Sequence, residues 1–198
     1  YQRDPARVAM RAFLAGGGEM GARMRAHAWE GGPLGSPERW PQSLRTAVSV
    51  MLNSRHPMFL AWGPELSFLY NDGYAPMLGA RHPGALGRPA PTVWADIWAD
   101  LQPMVTEVTA GRATYSEDLP LVMTRYGFVE ETYFSSSFSP VVEPGGRIAG
   151  LLDTVVETTH RVLAARRMAV LQQLGSLPRS VHGNAARAAA AALGGVGD

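Results

Sequence analysis

Residues 57–72 of the chain, PMFLAWGPELSFLYND, contain two short apolar runs that flank the Gly-Pro-Glu sequence at 63–65. Glycine and proline interrupt the apolar sequence where a chain reversal fits. The aromatic and aliphatic residues on both sides favour extended structure. The segment therefore predicts a β-hairpin that forms the first pair of an antiparallel sheet. Asn71 and Asp72 end the second strand, and their side chains can cap a helix at residues 73–78.

Composition places the chain among globular proteins and excludes several kinds of chemistry. Its 198 residues suit one domain with extensions, or one domain and part of another, and 46% of them are hydrophobic. The formal net charge of +1 gives no electrostatic reason to expect nucleic acid or an anionic membrane as a partner. Because the chain has no cysteine, disulfides, thiolate metal sites, iron–sulfur clusters and thiol nucleophiles are excluded.

All 18 basic residues are arginine, which excludes a lysine Schiff base and the lysine of a phosphate-binding loop. No apolar run approaches the ~20 residues that a membrane-spanning helix needs. We therefore expect a cytoplasmic protein that is not embedded in a membrane.

The segments before the hairpin predict short helices. These segments are residues 5–14, 19–27 and 41–53. The third has an apolar stripe at helical spacing, formed by Leu44, Val48, Met51 and Leu52. We expect residues 1–56 to form a helical extension that packs on the outer face of the sheet or in a dimer interface.

After the hairpin, residues 80–91 are rich in glycine, proline and arginine and predict a loop. The apolar spacing that follows predicts a short helix at 93–98 and a longer one at about 101–110. The break between the two is expected because Pro103 should begin a helix rather than lie inside one.

Three strands are predicted next, at residues 113–124, 129–142 and 147–157. Pro120 suggests that the first of them lies at an edge or carries a bulge. With the hairpin, these strands predict a five-stranded antiparallel sheet with helices on one face, an α+β fold.

Helical periodicity returns at residues 158–177, where Leu163, Val170 and Leu177 recur every seven residues. This spacing fits a helix that pairs with a partner helix. Residues 185–193 form a further alanine-rich stretch that favours a helix.

The order of these elements, and several motifs, resemble a PAS domain over about residues 57–159. The motifs are the FLAWGPELSFLYND hairpin with the following GYAPMLG, the VWADIW segment, SFSPVVEPGGRIAG and the closing VVETTHR. The flanking sequences GGGEMGARMRAHAW and PLGSPERWPQSLRTAVSVMLNS resemble a bacterial subgroup of PAS domains that lie near the N-terminus of sensor histidine kinases, often ahead of a GAF domain.

This resemblance implies four segments: an N-terminal helical extension at 1–56, a sensory domain at 57–158, a signalling and dimerisation helix at 159–178, and a linker or the start of a GAF-like domain at 179–198. It also implies a homodimer that acts on kinase and GAF domains downstream in the same chain.

In PAS domains the last strand commonly ends in Asp-Ile-Thr before the signalling helix. The matching residues here are Glu157, Thr158 and Thr159, which keep the acid in a longer form. The resemblance therefore implies that these residues transfer a signal from the sheet to the helix.

A small ligand could be held between the concave side of the sheet and its covering helices. The residues expected to face it are Trp94, Trp98, Met104, Tyr115, Phe134 and Phe138, with Ser136 as a polar group. Such a pocket suits a small apolar ligand. A packed core, or one with a lipid-sized void, is favoured over a dedicated ligand site, since aromatic residues at this spacing are usually core residues.

The absence of cysteine and the positions of the histidines limit which cofactors the chain can bind. Light-sensing PAS relatives use a cysteine for a flavin adduct or a cinnamoyl thioester, and both are excluded here. Non-covalent binding of a flavin remains possible, but no specific motif in the sequence indicates it. Haem-binding PAS domains usually take their ligand from the long helix before the third strand, and residues 101–110 contain no histidine. His82 is the haem candidate that remains, with a surface histidine as its alternative, and no histidine pair has metal-site spacing.

Several charged residues near the predicted strand ends allow two interpretations. The carboxylates are Glu117, Asp118, Glu130 and Glu131. They could serve acid–base chemistry, but a solvated sheet edge, or cross-strand pairing with Arg112 and Arg125, explains them better. Arg125, with Arg88, could also bind an anionic ligand.

These observations favour a sensory and dimerisation module over two alternatives. One alternative is a structural protein-interaction module with a closed core, and the other is an enzyme that acts on a small ligand in the pocket. The chain itself is not expected to be an enzyme, and a histidine kinase activity of the parent protein is implied by the resemblance alone.

Overall fold

The computed structural model describes residues 12–176, in which a five-stranded antiparallel sheet carries helices on both sides. The helices are α1 (Gly18–Ala26), α2 (Gln42–Asn53), α3 (Ala75–Leu78), α4 (Ala90–Val93), α5 (Trp98–Thr109) and α6 (Thr159–Gly175). The strands are β1 (Met58–Trp62), β2 (Ser67–Tyr70), β3 (Thr114–Met123), β4 (Glu130–Val142) and β5 (Ile148–Glu157). Single 3₁₀ turns occur at Ala12–Leu14, Trp29–Gly31, Pro37–Arg39 and Gly79–Arg81.

The strands lie in the order β2-β1-β5-β4-β3, and each neighbouring pair is antiparallel. The predicted hairpin is confirmed, with Phe59 opposite Tyr70 and Trp62 opposite Ser67. The last strand, β5, lies in the centre and pairs with both β1 and β4. The predicted α+β architecture is therefore confirmed.

Strand β1 is apolar throughout because both of its faces are covered. Phe59 and Ala61 face the side on which α3 to α5 lie, and Leu60 and Trp62 face the other side. Helix α2 contacts β1 and β2, and Leu60 is fully buried. The N-terminal extension thus packs on the outer face of the sheet, the first of the two placements expected from the sequence.

Asn71, at the end of β2, joins α2, the hairpin and the turn that leads to α3. Its side-chain oxygen accepts hydrogen bonds from the backbone N–H groups of Met58 (3.0 Å) and Tyr74 (3.1 Å). Its amide nitrogen donates to three backbone carbonyl groups, those of Met51 (3.0 Å), Ser54 (3.2 Å) and His56 (2.8 Å). Asn71 is 1% exposed, and its hydrogen bonds to Met58, Tyr74 and Met51 are buried, whereas those to Ser54 and His56 are partly buried.

Asp72 caps a different helix from the one predicted. Its carboxylate accepts hydrogen bonds from the backbone N–H groups of Glu19 (3.0 Å) and Met20 (2.7 Å), in the first turn of α1. The unsatisfied N–H groups and the positive end of the helix dipole favour a carboxylate there. Gly18 permits this approach, because a Cβ atom at that position would lie 1.9 Å from a carboxylate oxygen of Asp72.

The break predicted at Pro103 is wrong, because α5 runs through it. Only one turn of α5 precedes Pro103, so the proline costs a single backbone hydrogen bond near the helix end. Burial of Leu101 and Val108 against the sheet compensates for that loss. The short helix predicted at 93–98 instead lies at Ala90–Val93.

The edge position predicted for β3 is confirmed. β3 pairs with β4 alone, and its register shifts between Ser116 and Leu119. Asp118 has a φ of 50° within this irregular segment. A bulge of this kind bends an edge strand and changes which residues face inward.

Helix α6 belongs to a second compact unit that begins at Thr158. Leu163 and Val170 of the predicted heptad are half-buried, and Met168 and Leu171 are exposed. Leu177, the predicted helix at 185–193 and most of the predicted helix at 5–14 lie outside the described residues. Within residues 12–176, no helix is both long and apolar enough to cross a lipid bilayer.

Replacing Asn71 with aspartate tests the role of its amide nitrogen. The variant keeps both hydrogen bonds to the side-chain oxygen but places a carboxylate oxygen against three carbonyl groups. We expect Asn71→Asp to lower the free energy of unfolding by about 3 kcal/mol, measured by urea denaturation at pH 7. Asn53→Asp is the control, since the exposed Asn53 bonds only to its own helix, and equal losses in the two variants would contradict this role.

Candidate functional site

A cavity of about 40 Å³ lies between the sheet and the helices α3 to α5. Most of its wall is apolar and comes from β1, β3, β4, β5 and the covering helices. The polar members of the wall are Ser136, Asp153 and the phenol of Tyr74, together with the indole of Trp94. Three methionines, Met77, Met104 and Met123, also line the cavity.

Five of the residues predicted to form the pocket line this cavity: Trp94, Met104, Phe134, Ser136 and Phe138. Trp98 lies next to it and lines a smaller cavity of about 10 Å³. The two cavities share Phe59, Trp94, Leu101 and Phe138 as walls. Whether either cavity holds a ligand stays a prediction.

The predicted position of Tyr115 is wrong, because its side chain is 69% exposed. Tyr115 pairs with Ser137 of β4. Because neighbouring residues of a strand point to opposite faces of the sheet, Ser137 and Tyr115 face away from the side that Phe138 faces. The neighbouring Ser116 faces inward instead, and its hydroxyl donates to Sδ of Met104 at 3.1 Å. Only the register of β3 on β4 decides this alternation.

Asp153 is the residue of the site that the sequence analysis did not identify. It is 2% exposed, and the hydroxyl of Ser136 donates a hydrogen bond of 2.6 Å to its Oδ1. Burial raises the pKa of the Asp153 carboxyl to about 8, although the Ser136 hydroxyl and the backbone N–H groups of Ser137 and Thr154 oppose the shift. The carboxyl is therefore protonated in most molecules at neutral pH.

A sequence signal for Asp153 exists in the alternation of β5. Ala149, Leu151 and Val155 are the buried residues of this strand on the same face. Asp153 occupies the matching position in this row, so period-2 spacing alone places a carboxyl among inward-facing apolar residues.

Two other polar groups of the cavity wall are buried beside Asp153. Burial raises the pKa of the Tyr74 phenol well above its usual value, and the charge of Asp153 adds to the shift. Trp94 is 2% exposed; its indole N–H acts on the Tyr74 phenol, whose pKa it lowers slightly, but it makes no close hydrogen bond among the residues that the structure describes. A buried donor without a partner is a costly arrangement.

Arg125 and Glu157 form a two-pronged ion pair next to the end of β5. Nη1 and Nη2 of Arg125 donate to the two carboxylate oxygens of Glu157 at 2.9 and 2.8 Å, and Nε donates to Glu130 at 3.2 Å. Glu157 is the main cause that raises the pKa of the Arg125 guanidinium. The pairing predicted between Glu130 and Arg125 is confirmed, whereas Arg112 pairs with Glu107 (2.6 Å) rather than with a predicted carboxylate.

His82, the haem candidate, does not line the cavity. Its Nδ1 lies 2.9 Å from the hydroxyl oxygen of Tyr70, and its Nε2 lies 3.2 Å from a carboxylate oxygen of Glu19. The ring therefore links α1 to the segment after α3. Between residues 12 and 176, no group of three histidine, aspartate or glutamate side chains comes together in a way that could hold a metal ion.

No protein-family model and no curated protein matches the sequence. Among solved structures, the PAS domain of BvgS from Bordetella pertussis has 18% identity and a TM-score of 0.49, covering 67% of this chain and 98% of that one. The LOV protein of Rhodobacter sphaeroides has 17% identity and a TM-score of 0.46, covering 76% and 92%. An RNA-binding light-oxygen-voltage receptor has 15% identity and a TM-score of 0.48; the match covers 69% of this chain but only 39% of the receptor.

Identities this low give information about the fold alone. The fold is assigned from the strand order of the sheet. The order β2-β1-β5-β4-β3, with α3 to α5 between β2 and β3, is the arrangement of a PAS fold. The fold predicted from the sequence is confirmed.

The raised pKa of Asp153 predicts a pH dependence of stability that an asparagine variant lacks. The folded protein keeps this proton up to about pH 8, whereas the unfolded chain releases it near pH ~3.9. Because the unfolded state binds fewer protons between these values, stability falls as pH rises, by up to ~1.4 kcal/mol per pH unit. We expect Asp153→Asn to gain stability relative to the unmodified chain from pH 5 to pH 8, measured by urea denaturation at each pH.

Asp100→Asn is the control for this measurement, because Asp100 is an exposed carboxyl in the first turn of α5. The Asp100→Asn variant should change the free energy of unfolding by only a small amount, because substitution of an exposed side chain has little effect on stability. A constant difference for Asp153→Asn would mean that Asp153 is ionised throughout this range.

Proposed function

We propose that this chain is the sensory PAS module of a bacterial sensor histidine kinase in a two-component system. In this proposal residues 57–158 sense a ligand or a conformational signal, and residues 159–178 pass it on as a signalling and dimerisation helix. Residues 179–198 lead to a GAF-like or kinase domain of the same chain, and the protein acts in the cytoplasm as a homodimer. The sequence motifs that resemble this subgroup support the proposal.

The main support for this function is that β5 both lines the cavity and leads to α6. Asp153 and Val155 of this strand line the cavity, Glu157 ends the strand, and α6 begins at Thr159. A ligand that displaces Asp153 would therefore act on the same strand that precedes the helix. Because a strand is stiff along its length, a small shift at the cavity reaches Glu157, Thr158 and Thr159.

A second connection runs from the cavity to Glu157 through Arg125. Met77 of α3 lines the cavity, and the backbone N–H of Ala80, just after α3, donates to the carbonyl of Arg125 at 2.9 Å. The guanidinium of the same Arg125 holds Glu157. Movement of α3 and movement of β5 thus converge on one ion pair, which can act as a two-state element.

The dimer belongs to the same proposal. Met168 and Leu171 expose apolar side chains on α6, and such residues favour contact with a second helix. A second copy of the chain supplies the matching helix.

The small cavity volume favours the structural alternative, a protein-interaction module with a closed core. The buried carboxyl of Asp153 favours the enzymatic alternative, because a raised pKa suits a general acid. Native mass spectrometry of the purified chain separates these alternatives from a sensor: a co-purified ligand that is not converted to product supports sensing.

The ion pair provides the test of signalling. We expect Glu157→Gln in the intact parent protein to change autophosphorylation about 5-fold or more, within the range typical of allosteric coupling. The Arg125→Met/Glu157→Gln double variant should add little to the single change if the two residues act as a pair. Autophosphorylation is measured with purified protein and radiolabelled ATP.

The exposed pair of Glu107 and Arg112 is the control, since it lies on the surface at the end of α5. Glu107→Gln should leave autophosphorylation unchanged. Unchanged output in Glu157→Gln would contradict the role of this junction.

A further inference from the structure

Asp153 is a carboxyl without a cation. The groups that act most directly on it are the Ser136 hydroxyl and the backbone N–H groups of Ser137 and Thr154, and none of these is a cation. No salt bridge to Asp153 is formed within residues 12–176. Buried carboxyls are normally paired, because burial of a charge without a partner is expensive.

We propose that the cavity binds a small amine, whose protonated nitrogen pairs with the Asp153 carboxylate and whose hydrogen-bond acceptor receives the indole N–H of Trp94. This inference rests on the proposed sensory function and names the chemical class of its ligand. It accounts for two of the polar groups of the wall at once, since within residues 12–176 Asp153 has no cation partner and the Trp94 indole N–H makes no close hydrogen bond.

Aromatic rings around the carboxyl suit a cationic ligand. Phe59 of β1 and Phe138 of β4 lie directly opposite Asp153 in the sheet, and Tyr74 lines the same cavity, with its ring centroid 5.3 Å from that of Phe59. The faces of aromatic rings attract cations, and the attraction strengthens where water is excluded. These rings also supply apolar contact for the carbon atoms of the ligand.

The other charged and titratable groups near the cavity are neutral or already paired, so Asp153 is the group that would bind the cation. Tyr74 lines the same wall and stays neutral, because burial raises the pKa of its phenol well above the usual value. Arg81 pairs with Asp96 at 2.6 Å, and Arg125 pairs with Glu130 and Glu157. The two arginines are therefore neutralised by their own partners.

The size of the cavity limits the ligand to a few non-hydrogen atoms unless the wall moves. About 40 Å³ exceeds the roughly 10–15 Å³ that one water molecule requires. Met77, Met104 and Met123 can change rotamer at low cost and enlarge the space. Met104 and Leu119 are half-buried, so the cavity approaches the surface between α5 and β3.

Binding of such an amine displaces a proton. In the free protein the Asp153 carboxyl holds its proton at neutral pH, and the ammonium group pairs only with the carboxylate. Each binding event thus releases one proton to solvent, and the nitrogen of an alkylamine stays protonated because its pKa is about 10. Affinity should therefore rise about 10-fold per pH unit below pH 8.

The test is titration of the purified 198-residue chain with butylamine, 2-methoxyethylamine and 1-butanol. Binding is followed by calorimetry and by tryptophan fluorescence between pH 6 and pH 8. For ligands this small we expect dissociation constants on the order of 1 mM. Butylamine should bind about 10-fold more tightly at pH 7 than at pH 6, and 1-butanol should bind more weakly at both values.

Three variants assign the contacts. Asp153→Asn should weaken butylamine binding about 10-fold or more, while Asp100→Asn, the exposed control, should bind as the unmodified chain does. Trp94→Phe should weaken 2-methoxyethylamine about 5-fold and leave butylamine nearly unchanged. The pH profile needs no variant, so it tests the proposal even if Asp153→Asn fails to fold.

Equal binding of 1-butanol and butylamine, an affinity independent of pH, or no saturable binding of either amine would overturn the proposal. If that result accompanies changed autophosphorylation in Glu157→Gln, the amine assignment is wrong and the signalling role stands. If butylamine binds as expected and Glu157→Gln has no effect on output, the binding site stands and the signalling role is wrong.

Discussion

The pairing of β5 with both β1 and β4 is the interaction on which the rest of this domain depends. Without β5, the hairpin and the β3–β4 ribbon are separate two-stranded pieces, and such pieces are marginally stable alone. β5 also supplies Asp153 and Val155 to the cavity and ends at Glu157. One strand therefore completes the sheet, lines the cavity and precedes the final helix.

Asn71 and Asp153 are both buried polar residues of the sheet region, but their environments differ. Asn71 uses its oxygen and its nitrogen in hydrogen bonds to five backbone groups. A fully satisfied group of this kind stabilises one arrangement of α2, the hairpin and α3. Asp153 has hydrogen-bond donors but no cation partner in the part of the chain that the structure describes, and a group kept at such a cost is expected at a functional site.

The ion pair of Arg125 and Glu157 joins the segment between β3 and β4 to the end of β5, as Asn71 joins α2 to the hairpin. Arg125 is 8% exposed, so its charge depends on Glu157 and Glu130 for compensation. Loss of one carboxylate leaves a buried cation partly unpaired, which costs far more than loss of a surface pair. The pair therefore fixes the end of β5 to the segment between β3 and β4.

The sequence by itself determined the elements and the fold class, because alternation, apolar stripes and turn residues act over a few neighbouring positions. The hairpin, the edge position of β3 and five residues of the cavity wall follow from such local patterns. Tertiary structure decided the outward position of Tyr115, the helix that Asp72 caps and the partner of Glu157. Those outcomes depend on strand register and on contacts across 53 residues for Asp72 and 32 for Glu157. The burial that raises the pKa of Asp153 exists only once β5 lies between β1 and β4.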